Sequence, residues 1–313
     1  MKKDAENPDE AVKAAYKRLD DEIMKGGLDA LASKKSHAEV YSHLVPAFHG
    51  SCALLAVHDP STSTLYVANA GDSRAVLGRL NRSDSRDDPE YIAHPLSNDH
   101  NGYNDSEVTR ITSEHPNEPD IIKGGRLLKH GITRAFGNHR WKWPIEQIKA
   151  CFPRYYVAGP PPGYLTPPYI TAEPEVTSTT VQSGDFLILA SDGLWDNMSS
   201  EDAVSCVAAW LSETRSCRDK GDAELGALTN EHMDAPEYVG EPENQKPAQE
   251  SWRWTFSKGD MVLEEPNAAA HLVKNGLGGK RREIFCSLVS TQPPECRDAR
   301  DDITVIVVVF GGI

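Results

Sequence analysis

The amino-acid sequence predicts an α+β protein in which two mainly antiparallel sheets stack on one another beneath covering helices. Three observations carry this expectation. Short β-type runs at 52–57, 65–69 and 73–78 follow one another across turn residues, the pattern of an antiparallel meander rather than of strand–helix–strand units. Amphipathic helical stretches are interleaved with such runs along the chain. The chain closes on the continuous apolar run 303–310, which reads as a strand buried on both faces.

The elements follow in order. Between 8 and 24, Val12, Tyr16, Leu19 and Ile23 recur at steps of four, three and four, so this stretch is a helix with one buried stripe. Residues 52–57 form a strand, Asp59-Pro60-Ser61 a turn, and 65–69 and 73–78 two further strands. Gly71 lets the chain reverse just where Asp72 is presented. Residues 81–90 are polar and loop-like, and 91–94 form a short strand. Asn104-Asp105-Ser106-Glu107 reads as a capping box that opens a helix to Glu114, ended by Pro116. Strand and turn character returns at 126–137, and 141–168 is an aromatic, Pro-rich surface excursion. Residues 175–180 and 185–191 pair as a hairpin about Gln182-Ser183-Gly184. Ser199 or Ser200 caps a helix to about Leu211. The polar and acidic stretch at about 213–260 is expected to be a mobile insertion in a single domain spanning 1–313. A helix over 267–277 with Asn267 as N-cap, another over 281–289 and the final strand complete the chain.

Composition narrows the function classes. Of 313 residues, 39% are hydrophobic and 26% charged, an ordinary globular balance. The net charge of −14 argues against a general nucleic-acid or anionic-membrane surface. No apolar run approaches the roughly 20 residues that span a bilayer. The first residues, Met1-Lys2-Lys3-Asp4, show no targeting segment. The 6 cysteines form no C-x-x-C pair, so reduced thiols are expected. His37, His43 and His49 recur every six residues, a spacing that matches no metal-site geometry.

The chemistry lies in three carboxylates at strand ends. Asp72 sits in Asn69-Ala70-Gly71-Asp72-Ser73-Arg74, Asp192 in Leu189-Ala190-Ser191-Asp192-Gly193-Leu194-Trp195-Asp196, and Asp301 in Arg300-Asp301-Asp302-Ile303-Thr304. Carboxylates at the mouths of strands are how a protein builds an oxygen-ligand site for a hard cation such as Mg²⁺ or Mn²⁺. Asp72 after a glycine and Asp192 before one could equally be turn formers.

These blocks resemble the metal-dependent serine/threonine protein phosphatases of type 2C, the PPM family. Gly50-Ser51-Cys52-Ala53 and Asn69-Ala70-Gly71-Asp72-Ser73-Arg74-Ala75 are similar to the family's central hairpin, and Leu96-Ser97-Asn98-Asp99-His100-Asn101 with Glu107, Arg110 and Ile111 to its next block. Thr133-Arg134-Ala135-Phe136-Gly137-Asn138 resembles a Ser-Arg-Ala-Phe-Gly-Asp block with both ends changed. The Asp192 and Asp301 segments complete the set in the family's order. Asn98-Asp99-His100-Asn101, Glu114-His115-Pro116, Trp141-Lys142-Trp143-Pro144, Asp301-Asp302 and Asn267-Ala268-Ala269-Ala270-His271-Leu272 look closest to the mitochondrial pyruvate dehydrogenase phosphatase branch.

The resemblance implies a four-layer α-β-β-α sandwich and hydrolysis of phosphoserine or phosphothreonine on a protein, with pyruvate dehydrogenase as the branch's substrate and the mitochondrion as its compartment. It implies Asp192 and Asp301 as metal ligands and Asp72 as a carboxylate that, with Asp192, holds a more weakly bound third ion. It assigns Asp99 and Asp302 no firm role and makes His100 a structural hydrogen-bonding residue. Two or three Mg²⁺ or Mn²⁺ ions would occupy the complete family site. One departure is large: the family's Asp-Gly-His block, whose Asp bridges two ions, has no counterpart, since Asp192-Gly193 is the sole Asp-Gly in the chain. The expectation is therefore a domain lacking its N-terminal part and weak or inactive alone, because an incomplete set of carboxylates repels itself and binds cations poorly. The alternative is a pseudophosphatase serving as a binding module, with the acidic insertion and Trp252-Arg253-Trp254-Thr255-Phe256 as contact surfaces.

Overall fold

The computed structural model describes residues 7–81, 90–219 and 254–311. In chain order the main elements are α1 (Pro8–Ala32), α2 (His37–Phe48), β1 (Ala53–Asp59), β2 (Thr64–Ala70), β3 (Arg74–Leu80), β4 (Tyr91–Pro95), α3 (Asp105–Glu114), α4 (Ile145–Tyr155), β5 (Glu175–Thr180), β6 (Phe186–Ala190), α5 (Asp192–Trp195), α6 (Ser200–Asp219), α7 (Ala268–Gly276), α8 (Arg282–Ser290) and β7 (Val305–Val309). The fold class is α+β, and every main strand pairing whose register is defined is antiparallel. The chain divides into two compact units, 1–75 with 95–182 and 76–94 with 183–313.

The first unit holds the sheet β1-β2-β5. Ala53 to Asp59 pair with Ala70 to Thr64, and Thr64 to Asn69 pair with Thr180 to Glu175. The helix α1 lies on this sheet, burying Tyr16 against Ala68, Ala70 and Phe136, with the Tyr16 hydroxyl 3.4 Å from the Ala68 carbonyl oxygen. It starts as its sequence dictates, with Asn7 accepting from the Asp9 amide and Pro8 in the first turn. It runs a further two turns past the expected end, and Leu19, expected on the buried stripe, is exposed while Asp20 is buried. A second core joins Met24 of α1, Val40 and Leu44 of α2, Ile111 of α3 and Ile148 of α4 with Trp143, which precedes α4.

The second unit holds the sheet β7-β6-β3-β4. The helices α6 and α7 cover it through Val204, Val207, Leu211 and Leu272, which pack on Val76, Phe186 and Ile188. Asn267 caps α7 as expected, accepting from the Ala270 amide at 2.8 Å.

Several expectations are corrected. The meander breaks after β2, because β3 leaves for the other sheet and joins β6 and β4. Likewise β5 and β6 lie in different sheets and form no hairpin. The last strand, β7, is an edge strand with alternating exposure, Ile306 and Val308 facing outward. Continuous apolarity therefore does not mean burial on both faces. Similarly β1 is an edge, with Leu55 and Val57 exposed. The helices α2 and α4 stand where sequence reading assigned none. Ser36 and Glu39 form a reciprocal capping box on α2, whereas Glu107, expected to close one on α3, turns inward to two arginines. Of the expected insertion at about 213–260, the first residues continue α6 to Asp219, and Phe256 is buried. The remainder, 220–253, which includes Trp252 and Arg253, lies outside the described residues, as do residues 82–89 of the stretch expected to be loop-like. Among the described residues no helix is long and apolar enough to cross a membrane.

Candidate active site

In the second unit β6 ends at Ala190, and Ser191 acts as the N-cap position of the single-turn helix α5. Ser191 joins this turn to the start of β7 by three bonds. Its amide donates to the Thr304 carbonyl at 3.1 Å, its hydroxyl donates to the Asp302 carbonyl at 2.9 Å, and the same hydroxyl accepts from the Thr304 amide at 2.9 Å. The approach is so close that a Cβ on Gly193 would stand 2.5 Å from the Asp302 carbonyl oxygen, so only glycine fits. Asp192 and the Asp301-Asp302 turn are thereby held at one rim of paired strands. Asp192 Oδ1 accepts from the Gly193 amide at 3.0 Å, and Asp301 Oδ1 from the Asp302 amide at 2.7 Å. Asp301 and Asp302 are exposed and Asp192 is half-buried.

Behind that rim the turn is rigid. Trp195 Nε1 donates to the Ala190 carbonyl at 2.9 Å, Asn197 Nδ2 donates to the Gly193 carbonyl at 3.0 Å, and Leu194 is fully buried. Sequence reading placed Ser191 in the block without giving it a task; its hydroxyl is what brings the two predicted ligand segments together.

Asp72 belongs to the first unit. It follows Gly71, whose φ of 132° is open only to glycine, and its Oδ1 accepts from the Cys52 thiol at 3.2 Å. His100 fixes the turn from the side: its Nδ1 accepts from the Gly71 amide at 3.2 Å, and its own amide donates to the Gly71 carbonyl at 2.9 Å. Burial, with Arg134 nearby, holds the His100 imidazole below its ordinary pKa, against the pull of Glu107 and Glu175. The neutral ring is thus the form that accepts from Gly71, in keeping with a structural role. Asp99 is fully engaged by Arg74, Nε to Oδ1 at 3.0 Å and Nη2 to Oδ2 at 2.7 Å.

The Thr133-Arg134 block converges with α3 on the buried carboxylate of Glu107. Arg110 Nη2 donates to it at 2.9 Å, Arg134 Nη2 at 2.6 Å and the Thr133 hydroxyl at 2.6 Å. Burial alone would raise the Glu107 pKa, but the charge-assisted bonds from Arg110 and Arg134 and the bond from Thr133 outweigh it and hold the carboxyl far below the usual range.

Among the described residues no group of three or more His, Cys, Asp or Glu side chains is placed to hold a metal ion, and this includes the His37, His43 and His49 series. His37 instead stacks on Tyr155 with ring centroids 4.7 Å apart. By donor type, Asp192 and Asp301 suit a hard cation, because Mg²⁺ keeps several waters and needs only one or two carboxylates. The exposed carboxylate oxygens at that rim accept and cannot donate, which is the chemistry such an ion requires.

The family model described as protein phosphatase 2C matches residues 2–229. A protein phosphatase 2C homolog from Schizosaccharomyces pombe is 38% identical over 306 residues, covering 96% of this chain and 62% of that protein. The mitochondrial [pyruvate dehydrogenase [acetyl-transferring]]-phosphatase 1 of Saccharomyces cerevisiae is 31% identical over 320 residues, covering 97% of this chain and 53% of that protein. The protein of the same description from Homo sapiens is 36% identical over 327 residues, covering 96% of this chain and 54% of that protein. The chain thus spans between 53% and 62% of the length of these relatives.

Proposed function

The chain belongs to the protein phosphatase 2C family, and from that premise we propose that it supplies carboxylate ligands to the divalent-ion centre of a protein serine/threonine phosphatase. The observation that carries this is the Ser191 bridge, which fixes Asp192 and Asp301 on adjoining strand ends. Asp72, held by Gly71 and Cys52 within the first unit, is proposed as a metal ligand on the family resemblance alone. Bound Mg²⁺ or Mn²⁺ would lower the pKa of a water and offset charge on the transferring phosphoryl group. The residues' own contribution is orientation. Ser191, Gly193 and Trp195 keep the Asp192 turn from shifting, and a misplacement of about 1 Å at a reacting centre costs about 10²-fold in rate.

The ligand set is completed, in this reading, by carboxylates that the 313 residues do not contain. The Asp-Gly-His block of the family is absent from them, and the relatives are longer than the matched region. The finer reading takes the substrate to be a phosphoserine of pyruvate dehydrogenase and the compartment to be the mitochondrion. It is supported by the descriptions of the relatives from yeast and human and by the branch-like segments of the sequence. A second reading, a pseudophosphatase acting as a binding module, draws support from the lack of any three-ligand group among the described residues.

The test is Mn²⁺ binding by electron paramagnetic resonance beside hydrolysis of a phosphoserine peptide. The chain is expected to bind Mn²⁺ weakly, to lose that binding in Asp192→Asn and in Asp301→Asn, and to turn over little or no peptide. Binding unchanged in both variants refutes the ligand assignment. Robust Mn²⁺-dependent turnover by this chain refutes the incompleteness of the site.

A further inference from the structure

The first unit carries a groove that neither the phosphatase chemistry nor the core packing uses. A short hairpin, Ile122–Lys123 paired with Arg126–Leu127, forms one wall. The segment containing Pro162 and Leu165 forms the other, and the cavity between them measures about 520 Å³. Its floor is apolar. Ile121 and Leu128 are buried, and Leu165 stands 70% exposed above them, an unusual position for a leucine that touches a concave surface.

The rim is cationic. Arg126 and Lys129 are exposed, and among the described residues neither makes an ion pair or a side-chain hydrogen bond. Lys123 lies 3.4 Å from Asp120, both exposed. Two carboxylates share the lining, Asp120 beside Lys123 and the buried Glu118, which accepts from the Tyr169 hydroxyl at 2.6 Å and from Thr166, so cations outnumber carboxylates three to two. In a chain of net charge −14, this apolar groove carries a small excess of cations on its edge, Arg126 and Lys129 beside the Lys123–Asp120 pair.

The hairpin's exit is also held in a rarely populated conformation. Leu128 and Lys129 have φ of 44° and 70°, although neither is glycine. Bonds on both sides enforce this: the Leu128 amide donates to the Ile121 carbonyl at 2.7 Å, and Leu127 and His130 exchange bonds at 2.9 and 2.8 Å. The result turns the Leu128 side chain into the core and leaves Lys129 on the surface. Such strain persists only where surrounding bonds over-determine it.

We propose that this groove docks an acidic segment with an apolar anchor on the protein's phosphoprotein partner. The assignment of the segment to a substrate rests on the phosphatase reading above; the binding itself does not. An aliphatic side chain of the partner fills the space between Leu128 and Leu165, and acidic or phosphorylated residues beside it meet Arg126 and Lys129. A buried apolar anchor within a polar rim is the ordinary anatomy of a specific contact. Nucleic acid and anionic lipid would meet the same cations, but the acidic remainder of the chain repels extended polyanions.

The experiment uses the 313-residue chain in EDTA, so that neither metal nor turnover enters. The probe is a fluorescein-labelled dodecapeptide with a Leu-Leu centre flanked by glutamates, followed by fluorescence anisotropy. Controls replace the leucines with serine or the glutamates with lysine. The acidic apolar peptide is expected to bind saturably and to lose at least tenfold in affinity in Arg126→Glu/Lys129→Glu and in Leu165→Ser. Both controls should bind at least tenfold more weakly. These side chains are exposed, and an unchanged melting curve establishes that each variant is folded. Affinity unchanged in the charge-reversed variant, equal binding of the lysine peptide, or no saturable binding at all overturns the proposal. Tighter binding of an oligonucleotide or of phosphatidylserine vesicles, lost in the same variants, overturns the peptide assignment. Because no hydrolysis is measured, failure of the phosphatase reading leaves this result standing.

Discussion

Replacing Glu107 with Ala removes the acceptor at the centre of the first unit's buried network. Its carboxylate is 1% exposed and takes bonds from Arg110, Arg134 and Thr133, while Arg134 is only 16% exposed. Deleting one partner of a buried pair costs about 3–5 kcal/mol, since the remaining charge stays desolvated. Arg110 keeps Glu114 at 2.9 Å and Arg134 keeps the Glu173 carbonyl at 2.9 Å, so the lower end, about 3 kcal/mol, is expected. Against a total stability of about 5–15 kcal/mol that loss is large. Glu107→Gln retains a neutral acceptor and should cost less, about 1–3 kcal/mol. Urea denaturation followed by circular dichroism measures both, with hydrogen exchange at the α3 amides as a local readout. The acid limb gives an independent check. The folded pKa of Glu107 is depressed, burial opposing and the arginine and threonine bonds prevailing. Its contribution is therefore fully present above the unfolded value of about 4.3 and fades as pH falls toward the folded one. Wild type should lose more stability than Glu107→Gln between pH 5 and 3. A cost under about 1 kcal/mol for Glu107→Ala, or identical acid limbs, would refute the reasoning.

Three further outcomes are expected. In Gly78→Ala the new Cβ meets the Phe186 ring, which is fully buried between the sheet and its helices; overpacking of this kind costs about 1–3 kcal/mol, and an unchanged melting temperature would contradict the packing described. Burial pushes the Cys151 thiol up to about 11 and the Cys206 thiol up to about 12, so neither should react with an aromatic disulfide reagent at pH 8 in the folded chain, whereas the exposed Cys286 should. Burial lowers His130, His139 and His271 to about 4, below an unfolded value of about 6.5. The unfolded chain then binds more protons between those limits, and stability should rise from pH 4.5 to 7; a higher unfolding midpoint at pH 5 than at pH 7 would count against buried neutral rings.

Local chemistry was legible where it decides local structure. Asn267 announced the start of α7, and Gly71 and Gly193 marked the turns that present Asp72 and Asp192. Partnership at a distance was not. Nothing within 73–80 tells whether that strand joins β2 or β6, because both are apolar and either pairing buries it. The proline content of 141–168 made that stretch read as a surface excursion, although Pro144 sits at the N-cap of α4 and Pro153 lies within its last turn. The apolar run of β7 promised burial on both faces, but continuous apolarity cannot separate a central strand from an edge strand, and Ile306 and Val308 are exposed. At the rim, carboxylates signal a cation by residue type, whereas the Ser191 hydroxyl that joins the two segments carries no such signal.

Neither unit is continuous in sequence: the chain leaves the first at Ala75, returns at Pro95 and leaves again after Gln182. On a translating ribosome this has a temporal cost. Strands β3 and β4 emerge early, yet the neighbour that β3 needs, β6, follows some ninety residues later, and β7 closes the order only near residue 305. At about 5–20 residues per second, roughly 10–40 s separate β4 from β7. Until β6 arrives, about 5–20 s at that rate, an apolar strand pair waits without its neighbour, the window in which a nascent chain of this topology most needs a chaperone.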